Sequence, residues 1–181
     1  MYSIEIVKEK HMTATLAALV KDVSQENRVD HPVVQHLQRQ FANAFVLYAN
    51  YKNYHWQTFG PLFRDLHLMF DEFATDVLGT TDELAERIRM IGQDVHNVQL
   101  RQMQEAASVH SAVSGQSMQE MIQEADANLL VVIKEMREAA KAADESNDPG
   151  TVDLFSKVVQ IHEKQEWFLR EILKKRDGLI A

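Results

Sequence analysis

The sequence predicts an all-α protein, a four-helix bundle with one long crossover between its second and third helices. Three observations carry this. Six glycines and three prolines in 181 residues leave few helix breakers. Apolar residues recur at helical spacing through four long segments. The stretch between the second and third segments, about residues 93–116, is too long to join neighbouring antiparallel helices and suits a run along the bundle.

The first helix is expected from about His31 to Phe59, with Asp30 near its start and Pro32 in its first turn. Its apolar stripe is Val34, Leu37, Phe41, Ala44, Tyr48 and Tyr51, and it ends in register at His55. The second follows Gly60-Pro61 and continues to about Ile91, where Gly92 stops it. At about 100° per residue, Phe63, Leu66, Phe70, Phe73, Val77, Leu84, Ile88 and Ile91 line one face of it. The crossover has room for a short helix near Val98 to Ala107. The third helix opens with Ser117 and Glu120 at capping-box spacing and runs through Met121, Ala125, Leu129, Val132 and Met136 toward Asp144. The fourth begins around Asp148-Pro149 and runs through Leu154, Val158, Ile161, Trp167 and Ile172. The domain reading is an N-terminal extension (1–30), the bundle (31–176) and a short tail (177–181).

Composition narrows the function. A hydrophobic content of 45% suits one domain with a substantial core. With no cysteine there are no disulfides, cysteine-based zinc sites or thiol catalysis, which fits a reducing cytoplasm. The longest apolar patch, around Leu129 to Ile133, is far too short for a membrane span. The N-terminus mixes acids with its lysines, and no targeting signal is read there.

The chemistry lies in five residues: His55, His67, Asp71, Asp82 and Glu86. Their intervals are twelve, four, eleven and four residues. Each four-residue gap is one helical turn, so His67/Asp71 and Asp82/Glu86 are two side-by-side pairs. Imidazole with carboxylate suits iron, and zinc as an alternative occupant or inhibitor. The two pairs lie about 22 Å apart on one straight helix, whereas a metal holds its ligands at about 2 Å. One copy therefore cannot close the site. Two copies, antiparallel about a two-fold axis passing near Val77 with Gly79 beside it, would bring the first pair of one copy to the second pair of the other. The ligand face lies roughly 140° from the apolar stripe, and it also carries Leu68, Thr75 and Leu78, as a face meant for a partner should.

The residues His55-Trp56, Gly60-Pro61, Leu66-His67, Asp71, Asp82 and Ala85-Glu86-Arg87-Ile88 resemble the Dps family, the DNA-binding proteins from starved cells or mini-ferritins. The resemblance runs from about Phe41 to Leu173 and includes His162-Glu163-Lys164 and Trp167. It implies a ferritin-like bundle, a hollow homo-dodecamer, and a ferroxidase site at each two-fold. His55, His67 and Asp71 would come from one subunit, Asp82 and Glu86 from its mate. The implied chemistry is oxidation of Fe(II) by hydrogen peroxide, or by dioxygen, with ferric mineral stored in the shell as protection against oxidative stress. The resemblance places Trp56 beside the site, where it would intercept stray oxidising equivalents as well as pack. It also places an acidic three-fold pore at the turn before the fourth helix, making Asp148 and Asp153 candidate pore residues. The competing reading of Asp148, just before Pro149, is a helix cap.

His162, at the margin of the fourth helix's stripe, is read as a structural histidine. His31, His36 and His11-Met12 are left outside the site. DNA binding is the competing function, with nucleoid protection primary and iron chemistry secondary. Residues 1–30 set Lys8, Lys10, Lys21 and Arg28 against Glu5, Glu9, Asp22, Glu26 and Asp30, and Lys174-Lys175-Arg176 is followed by Asp177. With a net charge of −8, DNA binding is expected to be weak or absent at ordinary salt.

Overall fold

The computed structural model describes residues 33–174. The expected N-terminal extension, the tail, His11 and His31 lie outside these. The described chain is helical: α1 (Val34–Gln57), α2 (Phe63–Met90), α3 (Leu100–Ala106), α4 (Met118–Glu145) and α5 (Pro149–Ile172). Each predicted helix is present, with ends within a few residues of those read from sequence. α1 packs along α2 and α4 along α5; the two hairpins meet through α1–α4 and α2–α5 contacts, and α3 lies against α1.

The helix ends follow local chemistry. Gly60, at φ +83°, makes the turn between α1 and α2, and Gly92, at φ +82°, ends α2. At α4 the Glu120 N–H donates to Ser117 Oγ at 3.3 Å, and the Ser117 N–H to Glu120 Oε2 at 2.8 Å. This is the expected capping box. Asp148 caps α5 by accepting from the Thr151 N–H at 3.0 Å, with Pro149 in the first turn.

The core runs through all four long helices, from Leu37, Phe41, Leu47, Tyr51 and Tyr54 to Phe70, Phe73, Leu84, Ile88, Leu129, Met136, Phe155 and Leu169. Two apolar stripes need correction. Phe63 is 47% exposed rather than in the core. In α5, Trp167 and Ile172 are exposed, and the buried face is Thr151, Phe155, Val158, His162, Gln165 and Leu169. Two polar residues at core positions disguise that face. Gln165 satisfies its own polarity and that of its neighbours by meeting Tyr51 Oη, His162 Nδ1 and the Phe73 carbonyl at 3.3–3.4 Å. Burial pushes the His162 imidazole down to about 4, so it is neutral, as a structural histidine should be.

Side-chain amides fix the crossover. Asn128 bonds both backbone groups of His110, its Nδ2 donating to the carbonyl at 2.9 Å and its Oδ1 accepting from the N–H at 2.8 Å. Asn50 donates to the same carbonyl at 2.7 Å and accepts from the Ala112 N–H at 2.8 Å. Asn43 accepts from the Ser108 N–H at 2.8 Å, and Gln38 bonds the Asp94 carbonyl and the His96 N–H. A segment with little regular structure thereby finds partners for backbone groups that would otherwise be stranded against the bundle.

Candidate metal centre

His55 lies in the last turn of α1 and His67 in the second turn of α2, across the Gly60 bend. Their rings stack with centroids 3.7 Å apart and planes 20° from parallel. Each is held by the other's backbone: His55 Nδ1 is 2.6 Å from the His67 carbonyl, and His67 Nδ1 is 2.9 Å from the His55 carbonyl. A carbonyl oxygen only accepts, so both protons sit on Nδ1 and both Nε2 atoms keep a free lone pair. Such backbone bonds are how proteins fix the tautomer and orientation of a ligating histidine. Phe63 stacks on the outer face of His67 with centroids 5.1 Å apart, which explains its absence from the core.

Asp71 lies one turn beyond His67 and is bonded by Lys52 Nζ at 2.6 Å. The Lys52 ammonium holds its carboxyl below the usual carboxylate range, and the two histidines add to the effect. Lys52 also lies 5.6 Å from the Trp56 ring. Trp56 itself is 67% exposed, so in the single chain its indole stands on the surface rather than packed.

Asp82 and Glu86 project from the far half of α2, both exposed. Their neighbours anchor the helix instead. Glu83 receives Lys157 at 2.7 Å, and Arg87 donates to Thr151 Oγ1 at 2.8 Å and Asp148 Oδ1 at 2.5 Å. One edge of α2 is thus tied to α5, and the adjacent edge presents the two carboxylates outward. Because α2 is unbroken from Phe63 to Met90, the pairs stay about 22 Å apart. Among the described residues no three His, Cys, Asp or Glu side chains come together as a metal-holding group. The surface between the pairs carries Leu78, 42% exposed, and Gly79, above which a Cβ would meet nothing within 4 Å. Val77, at the same level, points into the chain's own core.

Of the candidate pore residues, Asp153 is exposed, whereas Asp148 is 7% exposed beneath Arg87. Burial raises the Asp148 carboxyl, but the Thr151 N–H and hydroxyl and the Arg87 guanidinium outweigh this and hold it below the ordinary range. The cap reading describes its geometry. Lys52 and Phe63 are the site residues that sequence reasoning missed. A lysine three residues before His55 is a signal that could have found the first; nothing in the pattern separates Phe63 from a core residue.

No helix among the described residues is long and apolar enough to cross a membrane. The Ferritin-like domain family model matches residues 34–178, well over half of the chain. The "DNA protection during starvation protein" of Brevibacillus brevis is 35% identical over 138 residues, covering 76% of this chain and 92% of that protein. The crystal structure of Dps from Thermosynechococcus elongatus superposes with a TM-score of 0.78 at 46% identity, covering 83% of this chain and 95% of that one. The Dps protein of Vibrio cholerae O1, described as a member of a broad superfamily of ferritin-like diiron-carboxylate proteins, superposes with a TM-score of 0.75 at 27% identity, over 83% and 92% of the two chains. An all-helical bundle with one long crossover, a matching ferritin-like domain and these relatives place the chain in the Dps family of ferritin-like proteins.

Proposed function

We propose that this protein is a ferroxidase that detoxifies and stores iron, oxidising Fe(II) with hydrogen peroxide or dioxygen at sites shared across a two-fold axis. The ferric product would be held as mineral inside a homo-dodecamer. The observation that carries the reading is the reciprocally bonded pair His55/His67, with both Nε2 lone pairs free and Asp71 one turn away. Borderline nitrogen retains Fe(II), and hard carboxylate oxygen favours the Fe(III) that forms. Asp82 and Glu86 of a second copy would complete the donor set, since the two halves of α2 cannot meet within one chain.

In this scheme the backbone bonds to Nδ1 keep both imidazoles in the ligating tautomer before iron arrives. Lys52 keeps Asp71 ionised and gives it up to the incoming cation. Two ferrous ions oxidised together would deliver both electrons to peroxide and so avoid releasing hydroxyl radical. Zinc suits the same donors and would compete for them.

The test is stopped-flow ferric absorbance after anaerobic apoprotein is mixed with Fe(II) and then peroxide. Acceleration over the protein-free rate at about two Fe(II) per peroxide, the ratio set by two one-electron oxidations, is the expected result. It should be lost when His67 and Asp71 are both replaced by alanine, and an unchanged rate in that double variant would refute the site. A second reading, DNA association, is favoured by the naming of the relatives. The net charge of −8 opposes it. Gel retardation at two salt concentrations separates the readings, because phosphate-mediated binding weakens steeply with salt.

A further inference from the structure

The His67 imidazole is held on both faces and at one ring nitrogen. With the two imidazole centroids 3.7 Å apart nothing fits between them, so Phe63 takes the opposite face of His67, its ring 25° from parallel at 5.1 Å. Phe63 lies four residues before His67, so the two share one edge of α2. Its N–H donates to the Gly60 carbonyl at 3.0 Å, and the bend that returns the chain along α1 thereby sets the ring over the imidazole. A phenylalanine that is 47% exposed forgoes much of the burial its ring would have in the core. The stacked contact is what it gains in exchange.

Thr58 fixes the ring nitrogen's partner. α1 ends at Gln57, so the His55 carbonyl lies in its last turn, where no helical N–H one turn further on remains to bind it. Two other donors take it: the Thr58 hydroxyl at 3.0 Å and His67 Nδ1 at 2.9 Å. Thr58 is buried, which keeps its hydroxyl on that carbonyl rather than in bulk solvent. The oxygen that receives the His67 proton is therefore itself held, at the helix end where carbonyls carry the uncompensated negative charge.

We propose that Phe63 and Thr58 are positioning residues for the metal centre, both acting through His67. Phe63 fixes the plane of the imidazole, and Thr58 fixes the carbonyl that anchors Nδ1, so Nε2 is aimed before a metal ion arrives. The inference rests on the reading of His55 and His67 as ligands. Phe63 has no atom that can ligate, and the Thr58 hydroxyl is spent on the carbonyl. Their contribution is preorganisation: a ligand already held in its bound orientation spares the ordering cost that binding otherwise carries. Losing either residue weakens metal binding while the donor set stays the same.

The experiment is cobalt(II) titration of the full-chain apoprotein, comparing the wild type with Phe63→Leu, Phe63→Tyr and Thr58→Val. Phe63→Leu and Thr58→Val should each raise the cobalt Kd by about 2- to 12-fold, the range that one ring contact or one hydrogen bond is worth. Phe63→Tyr, which keeps the ring, should bind as the wild type does. In peroxide-driven oxidation the KM for Fe(II) should rise with the cobalt Kd while kcat holds. Solid-state NMR of the 15N-histidine-labelled apoprotein supplies a readout without metal: His67 should show one tautomer in the wild type and Phe63→Tyr, and two in Phe63→Leu and Thr58→Val. Wild-type affinity with a single tautomer in Phe63→Leu overturns the role of Phe63, and the same result in Thr58→Val overturns that of Thr58. Equal weakening in Phe63→Leu and Phe63→Tyr also overturns the stacking argument. A second tautomer in the two variants, with no accelerated ferrous oxidation by the wild type, sinks the ferroxidase reading while retaining the hold of both residues on His67.

Discussion

Replacing Asn50 and Asn128 with alanine, singly and together, tests how the crossover is held. Asn128→Ala removes one donor from the His110 carbonyl and, among the described residues, the acceptor of the His110 N–H. The carbonyl keeps its bond to Asn50, so the loss is one stranded N–H, about 1–3 kcal/mol. Asn50→Ala strands the Ala112 N–H in the same way, while Asn128 still serves the carbonyl. Only the double variant strips the His110 carbonyl of both donors, which adds a penalty of about 1–3 kcal/mol beyond the sum of the singles. The assay is amide hydrogen exchange across residues 108–113, because local opening is read there without unfolding an assembly. Every 1.4 kcal/mol is about tenfold in the opening equilibrium. Each single variant should therefore speed exchange at its own amide by about 5- to 140-fold, and the double by more than the product of the two. Exchange in the double equal to that product would refute joint service of one carbonyl. Unchanged exchange in the singles would show that packing, not the amides, holds the segment.

Three further outcomes follow from the same geometry. His162 is buried neutral, its pKa depressed to about 4. The unfolded chain takes up a proton there below about 6.5, so this contribution is intact above that pH and lost as pH falls toward 4. It amounts to about 3 kcal/mol in all, and His162→Gln should flatten the stability profile between pH 6.5 and 4.5; an unaltered slope refutes the assignment. Gly150→Ala would place a methyl 3.0 Å from the Arg87 guanidinium, which is held by Asp148 and Thr151, and should lower the melting temperature at a cost of about 1–3 kcal/mol. An unshifted melting curve would show that Arg87 yields freely. Lys52→Gln removes the ammonium that competes with a metal for Asp71, so zinc should bind several-fold more tightly by calorimetry; unaltered or weaker binding would count against Asp71 as a ligand.

How much of this was legible depended on whether the signal was local. The capping box at Ser117, the cap at Asp148 and the stop at Gly92 lie within a few residues of what they cap, and all three were readable. So were the core positions Met121, Ala125, Leu129, Val132 and Met136 of α4, which recur at helical spacing on one face. In α5 the period failed because His162 and Gln165 occupy core positions and satisfy each other there. The asparagine bonds to the crossover span 18 to 65 residues, and no periodicity reports an amide reaching that far. At the candidate site, the one-turn spacing of each pair and the separation of the two pairs along α2 followed from helix geometry alone. The histidine tautomers and the Lys52–Asp71 pair did not, because they depend on how α1 lies against α2.

The amide attachments of the crossover have an evolutionary consequence. Asn43, Asn50 and Asn128 recognise backbone N–H and C=O groups of residues 108–112, which every residue except proline offers alike. The side chains at those positions are not what the bundle reads. Substitution along the exposed parts of this segment therefore carries little folding penalty, and its surface chemistry can drift or be engineered while its path stays constant. The three asparagines, by contrast, have no equivalent replacement, since aspartate lacks the donor and leucine lacks both groups. A mutational scan should find tolerance at the exposed His110 and intolerance at its partner Asn128, a reversal of the usual expectation that the loop residue is the constrained one.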